Sequence, residues 1–188
     1  MRKVSSRPRG RASQAAALAG IAVAALLAGC AAGRVVDGAY ENPATGFRIP
    51  LPPAPWVQVS IPDVELAFRH PSAGGTIAAF SSCEGSPRAP LRILARRLFF
   101  GLKEREVVEQ APASLDGAEA LRTIVRADQT GTPVIVESVV ARRGACVYDL
   151  VLVAPPGAHP ALRPAFESVV AGWRALNWNA ERGLRNAE

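Results

Sequence analysis

Leu115-Asp116-Gly117-Ala118-Glu119-Ala120-Leu121-Arg122-Thr123-Ile124-Val125-Arg126-Ala127 opens the part of the chain that decides the fold. Asp116-Gly117 is a turn pair. After it, Leu121, Thr123 and Val125 alternate with Arg122 and Arg126, the period of a half-buried strand. Asp128 to Pro133 turns the chain, and Val134 to Arg142 is rich in β-branched residues. Arg143-Gly144 turns it again before Cys146 to Val153, a nearly continuous apolar run. Three strands joined by tight turns predict an antiparallel meander. The last strand is apolar on both faces apart from Asp149, so both faces should be covered.

Working outward, Pro155-Pro156-Gly157 breaks the chain after the meander. Leu162, Ala165, Phe166, Val169, Val170 and Trp173 then recur at helical spacing, with Pro160 and Pro164 expected in or before the first turn. Residues 176–188 read as a polar tail. Upstream, Glu104 to Gln110 reads as a strand. Leu91, Leu94, Ala95, Leu98 and Leu102 form the apolar stripe of a helix ending near Gly101. Val64 to Arg69 and Thr76 to Cys83 form a hairpin across Ala73-Gly74-Gly75. Tyr40 to Trp56 is proline-rich, so Phe47-Arg48-Ile49 and Trp56 to Val59 are expected as short edge strands. The order is strands, helix, four strands, helix. It predicts one α+β domain over residues 40–175, with an antiparallel sheet of about six or seven strands sandwiched by helices.

The N-terminus is organised differently. Arg2, Lys3, Arg7, Arg9 and Arg11 precede the apolar run Ala15 to Leu27, which Leu27-Ala28-Gly29-Cys30 closes. A transmembrane helix, an ordinary secretory signal and a cytosolic hydrophobic helix are the alternatives. The run is short and alanine-rich, which suits a signal h-region better than a membrane span. The four closing residues resemble the lipobox of bacterial lipoproteins. That resemblance implies residues 1–29 as a signal peptide, cleavage before Cys30, and Cys30 acylated and held in a lipid bilayer. Residues 30–39 would then be the lipidated cysteine and a short tether. Ala31 stands where an Asp would imply inner-membrane retention, so the outer membrane facing the periplasm is expected in a cell with two membranes. The formal charge of +6 belongs mainly to this signal, since 17 basic and 16 acidic residues follow Gly29. Net charge thus gives no ground for nucleic-acid binding. The 159 residues from Cys30 onward suffice for one domain with its own core.

Certain residues also resemble the PsbP-like family, named after a photosystem II extrinsic subunit and including many bacterial lipoproteins. They are Gly46-Phe47-Arg48-Ile49-Pro50 with Pro55-Trp56, the Leu91 to Leu102 helix, and Leu115-Asp116-Gly117-Ala118-Glu119-Ala120. Cys146-Val147-Tyr148-Asp149 and Phe166-Glu167-Ser168-Val169-Val170 complete the set. The likeness covers about residues 40–175 and consists of packing and turn residues. It implies an antiparallel sheet between helical layers and a non-enzymatic binding or assembly module.

The chain has no nucleophile elbow, zinc-protease, P-loop or dinucleotide motif. His70 and His159, each before a proline, are expected at the surface. No metal-ligand spacing occurs, so neither a metal nor another cofactor is expected. Cys83 and Cys146 are a candidate disulfide in an oxidising compartment, with buried free thiols as the alternative. Cys83 lacks a neighbouring cation that would activate it as a nucleophile. Asp149 needs a partner, which Arg122, Arg126 or Arg142 on neighbouring strands could supply. Arg92, Arg96 and Arg97 are candidates for contact with anionic headgroups, against the plainer reading of a solvated helix face. The expected function is a membrane-anchored, non-catalytic binding or scaffolding module of the cell envelope with an unidentified protein partner. A carrier of a small apolar or lipid ligand is the alternative, and an envelope hydrolase has least support. An internal apolar cavity would favour the carrier, and a filled core with an exposed apolar patch the scaffold.

Overall fold

A computed structural model describes residues 33–83 and 89–176. The lipobox, and with it Cys30, lies outside the described residues, as does the tail beyond residue 176.

The meander is the centre of the molecule. Strands β8 (Ala118–Gln129), β9 (Thr132–Arg143) and β10 (Cys146–Ala154) pair antiparallel in register, Val125 facing Val136 and Leu150 facing Val139. Their hairpins need residues that tolerate positive φ, and Asp116, Gly117, Thr130, Gly131 and Gly144 meet that need. On the outer side of β8 lies β7 (Lys103–Leu115), far longer than the sequence periodicity predicts. It is an edge strand, so Pro112 costs it no ladder bond. On the other side, β10 pairs with β6 (Thr76–Ser82), followed by β5 (Leu66–Arg69) and the edge strand β4 (Val57–Val59).

A second, four-stranded sheet was not foreseen. It runs β1 (Arg34–Val36), β2 (Ala39–Asn42), β3 (Phe47–Pro50) and β11 (Arg174–Ala175). Two expectations are corrected here. The tether to residue 39 gives way at Arg34, because Asp37 and Gly38 both take positive φ and close a tight hairpin that buries Ala39 and Tyr40. Phe47 to Pro50 is no edge strand but pairs with β2 on one side and β11 on the other. Its proline is the last residue, where it interrupts nothing.

The helices are α1 (Leu91–Arg97) and α2 (His159–Gly172). Helix α1 is shorter than its stripe predicts: after Arg97 the chain tightens into three-residue turns, ending at Gly101 with φ 86°. Pro164 falls in the second turn of α2 rather than the first, where it removes one internal N–H.

Two layers of core follow. One face of the seven-stranded sheet packs Leu66, Phe68, Ile77, Val139, Leu150 and Leu152 against Leu162, Phe166 and Trp173, and against Phe47 and Ile49 of the small sheet. Tyr148, Phe47 and Trp173 join there, with ring centroids 5.0 to 6.4 Å apart. The other face is covered by α1 and the turn after it: Leu91, Leu94 and Ala95 over Val140 and Val147, and Phe99 over Val125, Val134 and Val136. The strand β10 is thus covered on both faces, as its composition requires.

Candidate functional site

Three places gather polar or accessible chemistry. The first is a charge cluster between the meander and α2. Glu137 on β9 is completely buried, 0% exposed, although strand periodicity alone would leave a Glu in solvent. Arg122, on the adjacent strand and same face, donates to its Oε1. Helix α2 completes the shell. His159 Nε2 lies 2.8 Å from Glu137 Oε2 and Arg163 Nε 3.3 Å from the same oxygen. Glu167 accepts from both Arg122 terminal nitrogens at 2.7 and 2.8 Å. Burial pulls the Arg122 pKa down, but the Glu167 and Glu137 carboxylates outweigh it and hold the guanidinium above its ordinary value. His159 is therefore not the surface residue expected; its side chain is 12% exposed and faces a carboxylate. The cluster fastens α2 to the sheet.

The second is the other end of the small sheet, where Glu65 accepts hydrogen bonds from Tyr40 Oη, Asn42 Nδ2 and Ser81 Oγ. Burial first, then Glu65, pushes the Tyr40 phenol pKa upward, so it remains a donor. Gly33 lies under the Tyr40 ring, and any side chain there would collide with it. Close by, Cys83 and Cys146 form a disulfide. Their Cα atoms are 3.9 Å apart, because the Val147–Ser82 register sets them opposite each other on adjoining strands. A pocket of about 300 Å³ opens beside it, lined by Thr45, Arg143 and Tyr148 among others.

The third is a groove on the sheet face that α1 leaves uncovered, about 390 Å³ in volume. Ala78, Val136, Val151 and Val153 belong to its sheet lining, Ile61 and Val64 to the β4–β5 side, and Leu98, Phe100 and Leu102 to the turn after α1. Phe100 is 90% exposed. The lining includes Thr76, Arg69 and Gln129 but no His, Cys, Asp or Glu, so it offers no general acid or base.

The remaining candidates are dispersed. Arg92, Arg96 and Arg97 stand exposed on α1. His70 is half-buried, edge-on to Trp56 at 5.3 Å, and its Nδ1 accepts from the Ala73 N–H at 3.1 Å. Asp149 does not find the partners expected. Arg122 is taken by Glu137 and Glu167, Arg126 by Glu106, and Arg142 donates to the Ala89 carbonyl. The Asp149 side chain projects from β10 toward α1, and its Oδ1 is buried without a hydrogen-bond partner. Burial raises its pKa from 3.8 to about 6, against the opposing pull of Arg97. A folded pKa above the unfolded one means stability is full below about pH 4 and lost as pH rises through about 6. At pH 7.5 Asp149→Asn should therefore stabilise the domain by about 2 kcal/mol and flatten the dependence between pH 4 and 6. Urea denaturation across that range checks it, and an unchanged slope would refute it.

No family model matches the chain, and neither does any curated protein. Among solved structures, the cyanobacterial PsbP (CyanoP) from Synechocystis sp. PCC 6803 matches with a TM-score of 0.54 at 14% identity, over 79% of this chain and 95% of that one. LpqN of Mycobacterium tuberculosis matches with a TM-score of 0.56 at 16% identity, over 69% of this chain and 83% of that one. Identity this low speaks for the backbone and not for any site. The antiparallel sheet with α1 on one face and α2 on the other is a PsbP-like fold.

Proposed function

We propose that this chain is a lipid-anchored protein of the cell envelope that acts as a non-catalytic binding module, holding a protein partner in the groove as part of a larger assembly. The groove carries the reading: an accessible apolar trough with Phe100 at its rim and no acid, base or thiol in its lining. Phe47, Phe166 and Trp173 fill the space between sheet and α2, which favours a partner on the surface over a ligand held inside. Support for the location comes from Leu27-Ala28-Gly29-Cys30 and from LpqN, a protein of the same fold described as involved in cell envelope biogenesis. On this reading acylated Cys30 holds the domain to the membrane, the outer one in a two-membrane cell.

One experiment tests both parts. A photo-crosslinking residue at Val64, in the groove wall, is compared in cells with the same chain carrying Cys30→Ser. The parent chain should incorporate labelled fatty acid and give a discrete protein adduct. The Cys30→Ser chain should incorporate none and remain uncut. Fatty acid on the Ser variant overturns the anchor, and adducts to lipid alone replace the scaffold with the carrier.

A further inference from the structure

We infer that the solvent side of α1 and the turn after it is a docking surface for an anionic phospholipid bilayer, with Phe100 entering the acyl region. The inference rests on the anchored reading above and names a second, non-covalent contact with the same membrane.

Ile93, Arg96, Arg97 and Phe100 follow one another at three- and four-residue spacing on the side of α1 that faces solvent, with Arg92 beside them. Ile93 is 42% exposed and Phe100 90%. From Arg92 to Arg105 the chain carries five basic residues and one acidic, Glu104, whereas the whole chain after Gly29 is nearly balanced. Arg92 and Arg96 have no ion-pair partner among the described residues, and the acid felt by Arg97 is Asp149 beneath it. Nearby acids are engaged: Glu106 with Arg126 at 2.7 Å, and Asp128 with the Gly131 N–H at 2.6 Å. An aromatic and an aliphatic side chain projecting among exposed arginines match an interface of acyl chains and phosphates, where apolar groups sink and guanidinium groups stay at the headgroups. A nucleic acid would use the charge and stack on Phe100 but leave Ile93 without a role.

Phe100→Trp tests the proposal in the mature protein purified from membranes and reconstituted into vesicles with brominated acyl chains. Trp56 and Trp173 are buried, and Trp178 is replaced by Phe in both chains, so the chain with Phe100 supplies the background. In vesicles containing phosphatidylglycerol, about half of the emission added by the substitution should be quenched. Quenching should fall on the order of tenfold with Arg96→Ala plus Arg97→Ala, or in phosphatidylcholine alone. An added emission that stays unquenched in both lipids while mass spectrometry finds Cys30 acylated overturns the docking surface and leaves the anchor standing. Quenching without acylation of Cys30 overturns the anchor and keeps the docking surface. Equal quenching in both lipids overturns the headgroup contact.

Discussion

Glu137→Ala is expected to destabilise the domain by about 3–5 kcal/mol, the usual cost of removing one partner from a buried ionic network. Three cationic or donor groups converge on this carboxylate: Arg122 from the neighbouring strand, and His159 and Arg163 from α2. Alanine leaves Arg122, whose side chain is only 14% exposed, with Glu167 alone. It also opens a void in a layer that packing would otherwise fill. The melting temperature should fall on the order of 10 °C. The effect should be specific to the broken network. Glu137→Leu combined with Arg122→Leu removes both charges and should recover much of the loss, because matched apolar replacements of buried pairs are often neutral. A double variant as unstable as Glu137→Ala would mean that the cluster is not what holds α2. Calorimetry on the parent and the two variants decides the matter.

The same residue shows where sequence reasoning reaches its limit. The strand Val134 to Arg142 was legible, because β-branched residues between turn pairs have few other solutions. The burial of Glu137 within it was not, since it is decided by a helix that starts more than twenty residues later and brings its own His and Arg. A local signal did exist: Arg122 and Glu137 fall on adjacent strands and the same face once the hairpin register is drawn. Phe100 illustrates a second kind of limit. Leu98, Phe99 and Phe100 all read as helix, but the helix stops at Arg97, and the tighter turns that follow bury Phe99 and expose Phe100. The apolar stripe read from the sequence named neither phenylalanine, and the early end of the helix decides which of the two is core and which is surface. The missed β1–β2 hairpin is different again. Asp37-Gly38 is a strong hairpin signal, and only the brevity of the flanking strands hid it.

What the fold contributes to function is a division of its two faces. The face toward α2 is closed by aromatic packing and by the Glu137 network. The face toward α1 is closed only where that short helix reaches, and the groove is the remainder. A longer α1 would have covered the groove, so the early end of the helix is what leaves that part of the sheet open. On the proposed reading, the groove's position next to the exposed arginines makes the membrane side and the partner side of the domain neighbours.

Removing the disulfide should cost the domain roughly 4 kcal/mol, measured as the difference in urea unfolding between the oxidised parent and a Cys83→Ala plus Cys146→Ala variant. The magnitude comes from the chain and not from local contacts. The bridged residues are 63 apart in sequence, and an unfolded chain cross-linked over that length loses a large share of its freedom. The loop it closes contains α1, β7, β8 and β9, so the bond ties the β5–β6 hairpin to the last strand of the meander. Cys83 lies just beyond β6 and Cys146 begins β10, and the Val147–Ser82 pairing already holds them together in the folded state. Their folded geometry therefore needs no rearrangement when the bond is absent, and the alanine variant should keep its fold while losing stability. Two thiols per chain, counted on unfolded and unreduced protein from an oxidising compartment, would show the bond absent there. A loss below about 1 kcal/mol would show that the unfolded chain is already restrained by other contacts, and that the loop-entropy account does not apply.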